Sequence, residues 1–263
     1  MVVSGGEALR GEEPRHPSRG RFLPRLAAAL AAAAAMTDGL ASAPFASHLL
    51  AGDPDALWQI VSTCIDERSD PQAALCSCPA LVHSCCDDAG TPDGDVVWSK
   101  TAQFVAIRDL VACGCPGSFV AGLALPRTRI TGIEDPARPD AIWPFAWQVA
   151  RSRIPAEVEI GLAINPIDAR SQNQMHVHML RLKPGVRAAI EGARASGRLA
   201  DPAGTVVVAL PDLSGVFAAA AARVGASEMG LHGILVVAAR DGGFLAAITD
   251  RRSPQAFTVN RCR

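Results

Sequence analysis

From Gln174 to Met179 the chain alternates polar and apolar residues, the period of a half-buried β-strand. Such a strand sends Gln174, His176 and His178 to one face and Met175, Val177 and Met179 to the other. Glu157–Asn165 predicts a strand before it, with Pro166–Asn173 as the polar loop between them. Further strands are predicted upstream at Asp95–Trp98, Ala102–Ile107 and Ser118–Leu125, the last two separated by a turn at Gly114, Pro116 and Gly117. Downstream, Val206–Ala209 reads as a short strand. Leu231–Ala239 and Phe244–Thr249 flank Arg240-Asp241-Gly242-Gly243, a hairpin signal.

Helical spacing appears in four places. Asp53 and Pro54 mark the start of a helix whose apolar positions are Leu57, Ile60, Val61, Cys64 and Ile65. Ala141–Arg153 carries Trp143, Phe145 and Trp147. Pro184–Ala195, with Lys183 and Arg187 near its start, and the Ala-rich Asp212–Val224 complete the set. Hairpins and a meander without alternating βαβ units predict an α+β fold, an antiparallel sheet with packed helices.

Composition narrows the function classes. Hydrophobic residues make up 49% of the 263 and charged residues 19%, enough for a substantial core. The net charge of −1, with no basic block beyond the N-terminal arginines, gives nucleic-acid binding no electrostatic support. There is no Tyr, so the four Trp carry much of the aromatic content.

Residues 1–43 read as a disordered basic segment followed by a targeting element. Arg15, Arg19, Arg21 and Arg25 precede the apolar run Leu26–Met36, which is shorter than the ~20 residues of a membrane span. Two readings stay open: a signal peptide cleaved near Gly39-Leu40-Ala41, or an N-terminal anchor extended through Gly39–Phe45. Either places the remaining domain, 44–263, outside the cytoplasm, anchored at the cell membrane or released. Of the eight cysteines, Cys64, Cys76, Cys78, Cys85 and Cys86 lie in or beside a Cys-rich loop at 64–94, followed by Cys113, Cys115 and Cys262. In an exported chain they read as disulfide staples. Zinc bound by Cys76, Cys78, His83, Cys85 and Cys86 is the alternative, at spacings mostly tighter than usual. Cys262 is expected to pin the tail to the body.

The chemistry-bearing candidates are the two histidines. Neighbours on one strand face sit roughly 6.6 Å apart along the strand, so two imidazoles can converge on one anionic group. One can attack it while the other donates a hydrogen bond. A solvated histidine pair or two metal ligands are the alternatives for an isolated His-x-His. No Asp/His cluster accompanies these histidines, so neither an obligatory metal nor a cofactor is expected. His232, alone at a strand start, reads as structural.

In its context, the strand resembles the histidine-triad (HIT) superfamily, whose signature is three histidines alternating with apolar residues after a strand that ends near an Asn. Gln174 stands at the first histidine's place, and His176 and His178 at the second and third. A closer resemblance covers the chain from about Trp58 to its C-terminus. Leu125–Glu134, Asp140–Arg151, Leu162–Asn165, Ser171-Gln172-Asn173 and Phe244–Arg251 look like bacterial CDP-diacylglycerol pyrophosphatase.

That resemblance implies a HIT-like fold for 44–263 and hydrolysis of CDP-diacylglycerol to CMP and phosphatidate, part of phospholipid metabolism. His176 would be the nucleophile, forming a nucleotidyl-histidine, and His178 a donor to the phosphoryl oxygens. Gln174 would orient or hydrogen-bond, since it cannot ionise. Asn165, Ser171 and Asn173 would contact the substrate. Arg129, where many histidine-triad proteins place an active-site histidine, would bind phosphate through its planar fork. Trp143, Phe145 and Trp147 would be core residues or one wall of a lipid groove. The membrane surface is the implied partner, and a homodimer stays open because histidine-triad proteins are often dimers. Two other functions remain: a hydrolase or nucleotidyl transferase of a soluble nucleotide, and a catalytically lapsed exported binding domain.

Overall fold

The structure, a computed structural model, describes residues 53–65, 96–200 and 204–262, all within the unit Ala43–Arg263. The targeting element and Cys76, Cys78, His83, Cys85 and Cys86 lie outside the described residues. Among the described residues, no helix is long and apolar enough to cross a membrane.

The strand-forming runs pair into one nine-stranded sheet in which every pairing is antiparallel. Its strands are β1 (Val97–Lys100), β2 (Phe104–Arg108), β3 (Ala121–Pro126), β4 (Ile160–Ile164), β5 (Val177–Leu182), β6 (Val206–Leu210), β7 (His232–Ala238), β8 (Phe244–Asp250) and β9 (Thr258–Val259). They run β1-β2-β3-β5-β4-β7-β8-β6, and the short β9 pairs with the end of β5, beyond the point where β3 leaves it. β5 is therefore an interior strand, with β3 on one side and β4 on the other. The α+β expectation matches this architecture. The β7–β8 turn closes as its Gly signal predicts: Gly242 and Gly243 have φ of 98° and 71°, and Ala239 N–H donates to Gly243 O at 3.0 Å. A Cβ on Gly243 would lie 2.5 Å from the Leu210 carbonyl, so only glycine fits there.

Helices cover the two faces unequally. On one face lie α2 (Ile142–Arg153) and α4 (Val216–Val224). Their Trp143, Trp147, Val216 and Phe217 share a continuous core with Leu162, Ile164, Val177, Met179, Val236 and Ala246 of the sheet. Three edge or stacked ring pairs, Phe104–Phe145, Trp143–Phe217 and Trp147–Phe244, lock this layer at centroid distances of 5.0 to 5.3 Å. Fully burying each such side chain contributes about 1.5–3 kcal/mol.

Among the described residues, the opposite face carries two larger apolar patches and a small third one of Ala112, Ala121 and Leu180. At one end α1 (Ala56–Gln59), which widens into a π-helical turn over Ile60–Cys64, packs Leu57, Ile60 and Val61 on Val105, Ile107, Leu123 and Leu125. At the other end α3 (Val186–Ala193) packs Ile190 and Ala193 on Val207, Leu235, Val237, Leu245 and Ala247. Strand alternation puts His176 and His178 on this face, opposite Val177 and Met179. They lie where neither larger patch covers the sheet. The aromatic helix α2 lies across the sheet from them, so Trp143, Phe145 and Trp147 are core and form no wall beside the histidines.

Element boundaries differ from the sequence expectation in ways that tertiary contacts explain. The strand predicted from Glu157 begins at Ile160, after a 3-10 turn at Glu157–Glu159. The histidine strand begins its ladder at Val177. Gln174 and Met175 bond instead to the preceding loop, through a bridge to Thr131 and from Met175 N–H to Ile130 O at 2.8 Å.

Candidate active site

The gap on the sheet is a pocket of about 450 Å³ between α1, the turn after β2, the loop before β5 and the turn before β9. His176 and His178 form its floor, each only 8% and 7% exposed, with ring centroids 4.7 Å apart in an edge-on arrangement. His178 is fixed in the middle of the sheet, opposite Leu123 of β3 and Ala163 of β4.

The tautomer of His176 follows from its partner. Its Nδ1 lies 2.8 Å from the Gln174 carbonyl oxygen, which only accepts, so Nδ1–H donates and Nε2 keeps its lone pair. Burial, and then the neighbouring His178, push the His176 pKa down from 6.5 to about 3. The imidazole is thus neutral at physiological pH with one nitrogen free to attack.

His178 is surrounded differently. Gln255 Nε2 approaches its Nε2 at 2.8 Å, and Asn165 Nδ2 lies at 3.5 Å from the same atom. Asn165 is oriented by the Ser253 hydroxyl, which donates to its Oδ1 at 2.7 Å and so turns the amide N–H₂ toward His178. On the other side, Asp109 Oδ2 lies 3.6 Å from His178 Nδ1. Two amides and two imidazoles therefore converge on one small volume, which suits an anionic group with several oxygens.

Arg170 adds a cation at the edge. Its guanidinium meets Glu134 through two contacts of 2.5 Å, Nη1 to Oε2 and Nη2 to Oε1, and its side chain is 7% exposed. Gly132 makes room for it: with φ at 63°, a Cβ there would fall 1.8 Å from Arg170 Nη1. Apolar Leu57, Leu110, Leu123 and the 63% exposed Val111 line the remaining side.

Of the residues singled out from sequence, the structure brings His176, His178, Asn165 and Ser171 to this pocket. It engages the other three elsewhere. Gln174 is 1% exposed; its amide N–H₂ donates to Pro126 O at 3.0 Å and Thr128 O at 2.9 Å, and its Oε1 accepts from Ile130 N at 3.4 Å. Both donors are engaged by backbone at the end of β3 and in the loop after it, and the side chain borders a small cavity shared with Asn165, Arg170 and His176 rather than the main pocket. Arg129 pairs with Asp55 at 2.9 Å and lies 5.9 Å from the Trp58 ring centroid. Asn173 donates to Asp55 Oδ1 at 3.1 Å and from its backbone to Pro54 O at 2.7 Å. Both anchor α1 rather than line the pocket. Gln172 does the same from the pocket wall, accepting from Leu57 N at 2.9 Å and donating to Asp53 O at 2.8 Å.

Asp109, Arg170 and Gln255 belong to the site and were not singled out. Each comes from a turn, where no periodicity marks a side chain's direction. Asp109 alone had a local signal, as a cap of the 3-10 turn Leu110–Ala112. Among the described residues, no group of three or more His, Cys, Asp or Glu has metal-binding geometry.

Comparisons with known proteins point to one family description, and the family model covers the histidine strand. The family model for CDP-diacylglycerol pyrophosphatase matches residues 116–199, which hold β3, α2, β4, β5 and both histidines. A probable CDP-diacylglycerol pyrophosphatase of Mycobacterium leprae is 34% identical over 141 residues, covering 49% of this chain and 44% of that protein. CDP-diacylglycerol pyrophosphatases of Mycobacterium bovis and Mycobacterium tuberculosis are 34% identical over 85 residues, 28% of this chain and 32% of theirs. The chain thus aligns with less than half the length of the curated relatives it matches.

Proposed function

We propose that this chain, similar through its histidine strand to CDP-diacylglycerol pyrophosphatases, hydrolyses the pyrophosphate of CDP-diacylglycerol to CMP and phosphatidate. The observation that carries the reading is His176: a buried neutral imidazole with Nδ1–H tied to Gln174 O and Nε2 free at the floor of a polar pocket. Nothing needs to deprotonate it before attack.

In this reading Nε2 of His176 attacks the phosphorus on the cytidine side. The N–P bond forms as the bond to the bridging oxygen breaks, releasing phosphatidate and leaving a nucleotidyl-histidine. Water then attacks that phosphorus, the N–P bond breaks, and CMP leaves. The amide N–H groups of Asn165 and Gln255, together with His178, face the oxygens on which charge builds, where preorganised donors act most strongly. Arg170 attracts the diphosphate to the site. The leaving phosphate monoester has a second pKa near ~6 and departs with little need of a proton, which accommodates the absence of an ionisable side chain at Gln174.

A lipid substrate makes the membrane surface the working partner and favours export of the domain, with residues 1–43 as signal or anchor; a homodimer and a histidine-triad ancestry are part of the same reading. The apolar side of the pocket, Leu57, Leu110, Val111 and Leu123, is the side suited to the glycerol end of the substrate.

Incubating the full-length oxidised protein with CDP-diacylglycerol in detergent and following CMP release tests this. The expected result is release that falls at least ~10³-fold in His176→Ala, the scale for loss of a nucleophile. Equal release from both proteins would overturn the reading, and turnover of soluble CDP but not the liponucleotide would reassign the substrate.

A further inference from the structure

One carboxylate in the pocket has no part in the reaction so far. Asp109 is 8% exposed, and its Oδ1 accepts from Val111 N at 3.2 Å as the cap of the Leu110–Ala112 turn. Its Oδ2 lies 3.6 Å from His178 Nδ1, a buried nitrogen with no hydrogen-bond partner among the described residues. A buried imidazole nitrogen and a buried carboxylate left facing each other are costly unless they serve one another.

The other side of the ring decides the protonation. The Gln255 amide nitrogen, 2.8 Å from His178 Nε2, can only donate, so Nε2 accepts and the single ring proton resides on Nδ1, facing Asp109. To donate to a phosphoryl oxygen, Nε2 must carry a proton as well, and the ring is then an imidazolium. The charged or titratable groups around it are His176, whose ring is 4.7 Å away and neutral, Asp109, and more distantly Arg170. Among the described residues Asp109 is the carboxylate that faces this ring, whereas Glu134 is engaged by Arg170.

We propose that Asp109 is the positioning residue for His178. It holds Nδ1–H, fixes the ring plane, and stabilises the imidazolium that donates from Nε2 to the phosphoryl oxygens as the N–P bond forms and the bridging P–O bond breaks. The second proton comes from solvent when substrate displaces the Gln255 amide. It stays on Nε2 through the step, shared with a non-bridging oxygen, so no net proton transfer is required. The carboxylate thereby supplies, from the turn after β2, the support for a cationic group that Gln174 cannot provide. This inference rests on the reaction proposed above.

Asp109→Asn separates charge from shape, because the Asn side-chain oxygen still accepts from Val111 N and preserves the turn. CMP release is measured for full-length oxidised wild type, Asp109→Asn, His178→Asn and the double variant. The expected result is a loss of kcat of about 10²-fold in Asp109→Asn, the lower end of general acid–base contributions, with KM within about 3-fold of wild type. In the His178→Asn background the same change should cost less than about 3-fold, since an interaction that acts through His178 vanishes with it. An unaffected Asp109→Asn, or equal losses with and without His178, would overturn the proposal. If Asp109→Asn fails to fold, Asp109→Ser keeps a capping oxygen without the charge and takes its place. Wild type without turnover would sink the reaction itself, whereas wild-type turnover with an unaffected Asp109→Asn sinks only the role of Asp109.

Discussion

At the residue scale, His176 shows how burial prepares a nucleophile. Removing the ring from water, with His178 beside it, holds its pKa at about 3 against an ordinary 6.5. Between those values the unfolded chain binds a proton at this position that the folded chain refuses. Stability therefore rises with pH across this window, and the fold loses stability as pH falls from about 6.5 toward 3. Urea unfolding at pH 7 and pH 4.5 should show a smaller loss for His176→Gln than for wild type. The kcat profile should lack an acid limb near pH 6.5 from this group, and an NMR titration in which the His176 ring protonates near 6.5 would contradict the assignment. Gln174 carries the complementary lesson. Period-two alternation correctly puts it on the histidine face. Its amide, however, meets the Pro126 and Thr128 carbonyls, because the chain there has not yet joined the β5 ladder and is bridged to the loop after β3.

At the scale of elements, the site depends on how the loops before and after the strands are tied. The turn that carries Arg170 is fixed by the fork to Glu134, and that fork exists only because residue 132 has no Cβ. Gly132→Ala should expel the guanidinium, strain a backbone at φ of 63° and destabilise the protein by about 1–3 kcal/mol. Because Arg170 borders the pocket, turnover should fall in the same variant at temperatures where it is still folded. Thermal unfolding and CMP release measured together check both, and an unchanged melting temperature would show that the loop accommodates the extra carbon. The aromatic helix teaches the reverse. Trp143, Phe145 and Trp147 look available to a lipid by composition, yet they carry the core of the far face.

At the scale of the whole molecule, the C-terminus is brought back to the middle of the sheet. β9 pairs with β5 at Arg181 and Leu182, the preceding 3-10 turn Pro254–Phe257 delivers Gln255 to His178, and Cys262 bonds to Cys115 across a separation of 147 residues. Cys115 lies just beyond the turn that Asp109 caps, and Arg108 ties that turn by donating to Ala112 O at 3.0 Å and Cys115 O at 3.2 Å. One bond thus staples together the two turns that flank His178. Cys262→Ser should cost about 2–4 kcal/mol of stability. It should also lower turnover more than a comparably destabilising substitution in the core of the opposite face, such as Val216→Ala. Equal turnover in the two variants, compared under folded conditions, would separate the bond from the site.

The sequence alone determined what repeats along the chain. Period two put His176 and His178 on one face, apolar and β-rich runs located β1 to β8, helical patterns located the described helices, and turn residues marked the β7–β8 hairpin, because these signals are local and set by backbone geometry. The family-model match over residues 116–199 follows the same stretch, where the motif is continuous. Only the tertiary structure decided which face α2 covers, that Gln174, Arg129 and Asn173 hold backbone rather than line the pocket, and that Asp109, Arg170 and Gln255 meet the histidines. Those residues lie on turns separated from His178 by up to 77 positions, and a turn leaves no periodic trace of where its side chain points. Their convergence is a property of strand order and of the chain's return along β5, and it is there that the chemistry is assembled.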